Sequence, residues 1–262
     1  MAARSLAIVG VAALIAATAA CGSTSTPGAS SEAITTPPST TASSATSATS
    51  ASASPTVAGG PSACSDLGGQ VGPDQVCTVH TEASGYTVDM SFPSDYPDQT
   101  ALSRVLTRLR GQFVKTVSEP LVRDVPKALY IKSTTYRSGS PEPGTVSVVL
   151  EEYVNVGGAH PETYYDALNY DLATWAPITF DTLFKPSTDP IAVLDPIVET
   201  ELKNRLQGAP VDANPIGADM YKNFALTDDA VIFFIGQGMW TIEAAGAQQV
   251  SVPRSELASI LA

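Results

Sequence analysis

The chain has 262 residues, 14 of them basic and 26 acidic, for a formal net charge of −12, with three cysteines and two histidines. This balance excludes nucleic acid as a partner, because displacing counterions from phosphates needs clustered Lys and Arg. Cys21, Cys64 and Cys77 with His80 and His160 do not supply four ligands at a spacing used by zinc or iron–sulfur centres, so no metal and no cofactor is expected.

Arg4 precedes an uncharged run from Leu6 to Ala20 that is short for a membrane span and ends in small residues, the pattern of a secretory signal over residues 1–20. Thr18-Ala19-Ala20-Cys21, followed by Gly22-Ser23, resembles a bacterial lipobox cleaved before Cys21. In that chemistry the Cys21 thiol takes a diacylglyceryl group and the freed amine is acylated, typically with palmitate. The expectation is a lipoprotein held on the extracytoplasmic face of the cell membrane. The lipobox pattern prefers Leu where this chain has Thr18, so ordinary cleavage and release is the alternative reading. Residues 21–62 then form a tether in which roughly half the side chains are Ser or Thr and Glu32 is the only charge. Such a composition cannot offset its ordering entropy, and a coil of this length spans roughly 35 Å. Pro27, Pro37, Pro38 and Pro55 among the hydroxyls fit either an O-glycosylated stalk or an unmodified spacer.

Residues 63–262 have the length of one domain, with halves at 63–156 and 157–262. Cys64 and Cys77 bracket a glycine-rich loop, and an oxidising compartment predicts a disulfide between them. Residues 75–81 and 85–92 alternate in polarity around Ser84-Gly85, predicting a hairpin with Cys77, Val79, Tyr86, Val88, Met90 and Phe92 inward. Pro97-Asp98 opens a helix whose Leu102, Val105, Leu106, Leu109, Phe113 and Val117 repeat at helical spacing, with Pro120 and Pro126 beyond its end. Residues 129–136 and 145–156 predict a long hairpin, and residues 163–171 a further strand. Asp189-Pro190 marks a second helix, which Pro196 is expected to break, leaving Asp195 as a second cap. Strands follow at 224–226, 231–235 and 248–253, then a short helix over 255–261. The class is α+β, a mixed and mainly antiparallel sheet packed by two main helices.

Phe92-Pro93-Ser94-Asp95-Tyr96-Pro97-Asp98, Asn155-Val156-Gly157-Gly158-Ala159-His160-Pro161, Ile178-Thr179-Phe180-Asp181-Thr182-Leu183-Phe184, Asn223-Phe224-Ala225-Leu226-Thr227-Asp228-Asp229 and the ending Val252-Pro253-Arg254-Ser255-Glu256-Leu257 resemble the mycobacterial major secreted immunogenic protein family (the Mpt/Mpb antigens). The second half is similar to the extracellular domain of lysozyme-sensing anti-sigma factors, a domain of unknown function that also accompanies some peptidoglycan deacetylases. The resemblance implies a compact fold with a β-grasp-like element and carries no catalytic residues across. Where the family has Pro-Tyr after the buried strand, this chain has Gly236-Gln237-Gly238-Met239-Trp240.

His160, held between Gly157-Gly158 and Pro161, is the one catalytic candidate: a general base for Ser133, Ser140 or another hydroxyl, oriented by Asp166 or Glu162. No Gly-x-Ser-x-Gly, Ser-x-x-Lys or His-Glu-x-x-His motif supports it, and the structural alternative is a turn histidine. His80 reads as a solvated strand residue. Glu152 shares strand parity with Val146, Val148, Leu150 and Val154, so it is expected to meet an arginine of the first helix or to hold its proton. Asp228-Asp229 reads as a turn. Tyr153, Tyr164, Tyr165 and Tyr170 with Asp166 and His160 form an expected aromatic and acidic binding patch for a basic, lysozyme-like protein or for a peptidoglycan glycan. The reading from sequence is a monomeric, non-enzymatic envelope lipoprotein exposed to a host immune system; the alternative is a weak carboxylesterase using His160.

Overall fold

The structure is a computed structural model and describes residues 62–119, 125–139, 142–208, 210–211 and 217–262. The signal, Cys21 and nearly all of the tether therefore lie outside the described residues, as do Pro120 and Ser140. Among the described residues no helix is long and apolar enough to cross a membrane.

A short helix α1 (Ala63–Asp66) and strand β1 (Gln70–Val71) lead into the hairpin β2 (Val76–Ala83) and β3 (Tyr86–Pro93). Helix α2 (Gln99–Val117) follows, then β4 (Lys127–Ser138), β5 (Thr145–Asn155), β6 (Glu162–Asp171) and β7 (Ala176–Ile178). These strands make one seven-stranded sheet in chain order, antiparallel throughout except for β3 beside β4. A parallel pair needs a crossover, and α2 supplies it. The Asp98 side chain accepts from Ala101 N at 2.8 Å and starts that helix. Leu102, Leu106, Leu109, Phe113 and Val117 are buried against Val88, Met90, Leu129, Ile131, Val148 and Leu150 of the sheet. The expected disulfide is present, Cys64 to Cys77, fixing α1 to β2.

The remaining chain builds a second layer: α3 (Phe180–Leu183), α4 (Pro190–Leu206), a three-stranded antiparallel sheet of β8 (Phe224–Leu226), β9 (Ala230–Ile235) and β10 (Gln248–Pro253), and α5 (Arg254–Leu257). Strand parity divides β9 between two cores. Ile232 and Phe234 join Val149 of β5 under Tyr136, Tyr165 and Ala167, while Val231, Phe233 and Ile235 pack with Leu194, Val198 and Leu202 of α4. The order of layers is thus α2, large sheet, small sheet, α4. The small sheet covers the β4–β6 part of the large one, and the β2–β4 part of that face stays open.

Two expectations about helices fail. Helix α4 runs unbroken through Pro196, capped once, by Asp189 accepting from Ala192 N. Asp195 caps nothing; its carboxylate accepts the Tyr221 hydroxyl at 2.6 Å. Leu194 and Val198, fully buried on either side of the proline, hold the helix where local propensity would end it. The C-terminal helix is a single turn, Arg254–Leu257, rather than extending to 261.

Candidate functional site

The glycine bend between β5 and β6 presents His160 at the surface. Gly157 takes φ 82°, a region closed to most side chains. The imidazole is half exposed, with Nε2 3.1 Å from Glu243 Oε2 and Nδ1 3.3 Å from Pro161 O. Neither Asp166 nor Glu162 orients it: Glu162 accepts the Tyr164 hydroxyl at 2.7 Å, and Asp166 faces Arg108. No hydroxyl is within hydrogen-bond distance of His160 among the described residues. Gly236 lets the chain pass against the Tyr164 ring, where an added Cβ would come within 2.9 Å of Cδ1. Desolvation, then the bond to Glu162, pushes the Tyr164 hydroxyl up to about 12.

The outer edge of β6 at this end has no neighbouring strand, and two side-chain amides close it. Asn223 Nδ2 donates to Tyr165 O at 2.6 Å while its Oδ1 accepts from Ala167 N at 3.2 Å. Gln237 accepts from Thr163 N through Oε1, and its own backbone N donates to Thr163 O at 2.9 Å. Each amide thus does for β6 what a paired strand would do. At the hairpin turn of the small sheet, Asp228 is a turn residue as expected, and it also accepts from Ser138 Oγ and Gly139 N of the large sheet.

The tyrosines do not form one patch. Tyr164, Asp166 and Tyr170 lie on the face under α2, and Tyr170 is core, its hydroxyl donating to Trp175 O at 2.7 Å. Tyr165 points the other way, against Phe234. Tyr153 shares that second face but lies beyond the small sheet, where it meets Tyr130 directly across the β4–β5 ladder. Their rings stack at a centroid distance of 5.5 Å and an interplanar angle of 16°, and Tyr130 is 40% exposed.

Beside this stacked pair the open half of the sheet carries Lys132, Ser91, Asp89, Thr78 and His80, which with Tyr130 line a shallow depression of ≈ 340 Å³. His80 is not simply solvated. The register around the Ser84-Gly85 turn sets it opposite Asp89, and its Nδ1 is 2.5 Å from Asp89 Oδ1. That hydrogen bond and the carboxylate charge raise the imidazole above its ordinary value. Nδ1 is thereby occupied and Nε2 is left for a ligand.

Beneath α2, Glu152 is 5% exposed, and its Oε1 has no partner. Burial raises its carboxyl far above the usual range, a hydrogen bond from Glu152 to Asp166 and the Asp166 charge add to this, and Arg108 opposes it. The arginine of α2 expected beside Glu152 pairs with Asp166 instead, at 2.9 Å. Asp166 is closer to solvent, so the ion pair forms there and Glu152 keeps its proton. Among the described residues no cluster of His, Cys, Asp or Glu could hold a metal.

Comparison with known proteins places the second layer first: residues 181–255 match the family described as "Protein of unknown function (DUF3298)". The fold resembles that of a DUF3298 family protein from Pseudomonas aeruginosa at a TM-score of 0.50 and 15% identity, covering 71% of this chain and 94% of that one. A 24% identical match to the Bacillus subtilis peptidoglycan-N-acetylmuramic acid deacetylase PdaC covers 73% of this chain and 42% of that protein. The Mycobacterium tuberculosis protein named esterase Rv3036c is 44% identical over 202 residues, 76% of this chain and 89% of the relative. Immunogenic protein MPB64 of Mycobacterium bovis is 42% identical over 202 residues, 76% of this chain and 88% of the relative. With identity at that level over nearly the whole of both relatives, the chain belongs to the mycobacterial immunogenic protein family of MPB64 and MPT64.

Proposed function

We propose that the protein is a lipid-anchored cell-envelope module that binds a cell-wall glycan on the open face of its large sheet. The observation that carries this reading is the stacked Tyr130–Tyr153 pair, with Tyr130 exposed and Tyr153 half-buried, beside His80, Asp89, Ser91 and Lys132. A pyranose ring has an apolar C–H face and a rim of hydroxyls, so it needs a flat aromatic surface and planar hydrogen-bonding groups around it. The lipobox-like Cys21 and the tether of residues 21–62 would hold such a module within reach of the wall. The partial likeness to a peptidoglycan deacetylase agrees with a glycan ligand without assigning its chemistry to this chain.

The experiment is co-sedimentation of the mature chain with insoluble peptidoglycan, alongside detergent partitioning of the parent and Cys21→Ala. Saturable sedimentation, with the parent in the detergent phase and the variant in the aqueous phase, supports both parts. Failure to sediment removes the glycan, and identical partitioning removes the anchor.

A second reading, a weak carboxylesterase, is favoured by the 44% identical relative that bears that name. On geometry its base is His80 rather than His160, since His80 has a carboxylate on Nδ1 and Ser91 on the same face. Turnover of short-chain nitrophenyl esters that is lost in both His80→Ala and Ser91→Ala supports it; turnover unchanged in both excludes it.

A further inference from the structure

At the opposite end of β5 from Tyr153, the two layers leave a groove of ≈ 470 Å³ lined by residues that include Thr145, Ala176, Ile178, Leu183, Leu226 and Arg254. That volume is in the range of small-ligand sites, roughly 300–1,000 Å³. Two polar atoms of these lining residues are buried and unmatched: Arg254 Nε and Thr145 Oγ1 have no hydrogen-bond partner. Arg254 also makes no ion pair among the described residues.

Arg254 as a whole is half-buried, but its Nε–H is withdrawn from water with no acceptor, which is costly, and a guanidinium is well matched by a carboxylate. The acidic groups on this wall do not serve. Asp171 turns Oδ1 onto the backbone N–H groups of Ala173 and Thr174, at 2.7 and 3.2 Å. Ala262, tied to Leu183 O through its backbone N, brings no carboxylate within ion-pair distance of Arg254. The rest of the wall is mainly aliphatic. One cationic group beside aliphatic walls is the complement of a fatty acid, not of a sugar phosphate or a polyanion.

We propose that this groove is a binding site for an aliphatic monocarboxylate of medium chain length, its carboxylate gripped by the Arg254 guanidinium and the Thr145 hydroxyl and its chain laid along Ala176, Ile178, Leu183 and Leu226. The planar guanidinium fork matches a carboxylate with two parallel hydrogen bonds, and the threonine hydroxyl supplies a third donor. The site is separate from the open sheet face and stands whether or not that face binds a glycan.

The test is calorimetric titration of the full mature chain with octanoate, with acetate and octanol as controls for the missing chain and the missing charge. Saturable octanoate binding is expected, with at least tenfold weaker binding of either control. Arg254→Gln should weaken octanoate at least tenfold and Thr145→Val about threefold. Ala176→Trp, which fills the groove while leaving Arg254 and Thr145 in place, should abolish binding and keeps the test meaningful if Arg254→Gln does not fold. Absence of saturable octanoate binding, or equal affinity in Ala176→Trp, overturns the proposal. So does a short peptide with a C-terminal leucine that binds more tightly than octanoate, since the groove would then read chain ends.

Discussion

Glu152 on β5 and Asp166 on β6 are diagonal neighbours, two residues apart along the ladder, on the face that α2 covers; Glu152 keeps its proton, and Asp166 takes the guanidinium of Arg108. The raised carboxyl has a direct consequence for stability. Burial lifts Glu152 from 4.5 to about 9, so between those values the folded chain holds a proton that the unfolded chain has released. Stability therefore falls as pH rises through that window. Glu152→Gln keeps the shape and removes the titration, and should stabilise the protein by roughly 2 kcal/mol near neutral pH and by almost nothing at pH 4. Urea midpoints of parent and variant at both pH values check this; an offset that does not change with pH contradicts the assignment.

Asn223 closes the free edge of β6 with a donor and an acceptor at once. Asn223→Ala removes both bonds and should cost about 1–3 kcal/mol, since the Tyr165 and Ala167 backbone groups are only partly reachable by water. Hydrogen exchange at the Ala167 amide should accelerate more than at amides of β2 or β3. Asn223→Asp, which keeps the acceptor and sets a carboxylate against the Tyr165 carbonyl, should be at least as damaging.

Much of this arrangement is legible in the residues. The alternation through Val79, Val88, Met90 and Phe92 and the helical spacing from Leu102 to Val117 both end in the same core because short-range periodicity reports which face is buried. The register about Ser84-Gly85 already sets His80 opposite Asp89, a signal that was available in the turn. Pro196 misleads because Leu194 and Val198 are anchored by a sheet more than 25 residues further along the chain. The supposed tyrosine patch fails for a similar reason. Parity alone separates Tyr164 from Tyr165, but which face the small sheet covers depends on how β8 and β9 cross the large one, and no local pattern encodes that. The roles of Asn223 and Gln237 are equally non-local.

The Cys64–Cys77 bond closes a short loop, 13 residues apart in sequence, and binds α1 to β2 of the large sheet. Replacing both cysteines by serine should destabilise the fold by about 3 kcal/mol through the added freedom of the unfolded chain. Guanidinium unfolding of the double variant measures it. A similar loss in the parent under reductant would attribute the effect to the bond rather than to the serines.

The open sheet face makes the sharpest functional prediction because its two halves do separable work. Tyr130 offers a ring face, whereas His80 and Asp89 offer polar groups beside it. Loss of a stacking ring should cost about 1 kcal/mol, so Tyr130→Ala should lower the affinity for soluble peptidoglycan fragments roughly fivefold, while Tyr130→Phe, which keeps the ring, should retain it. His80→Ala removes a hydrogen-bonding group and should weaken binding with a comparable effect. Because Asp89 holds the imidazole above its ordinary value, the charged form is the one present through mildly acidic pH. Binding by the parent should therefore decline as pH rises through the histidine titration, and that decline should vanish in His80→Ala. Fluorescence titrations of the three variants across pH 5–9 carry the test. A Tyr130→Ala variant that binds as the parent does would remove the glycan from this face.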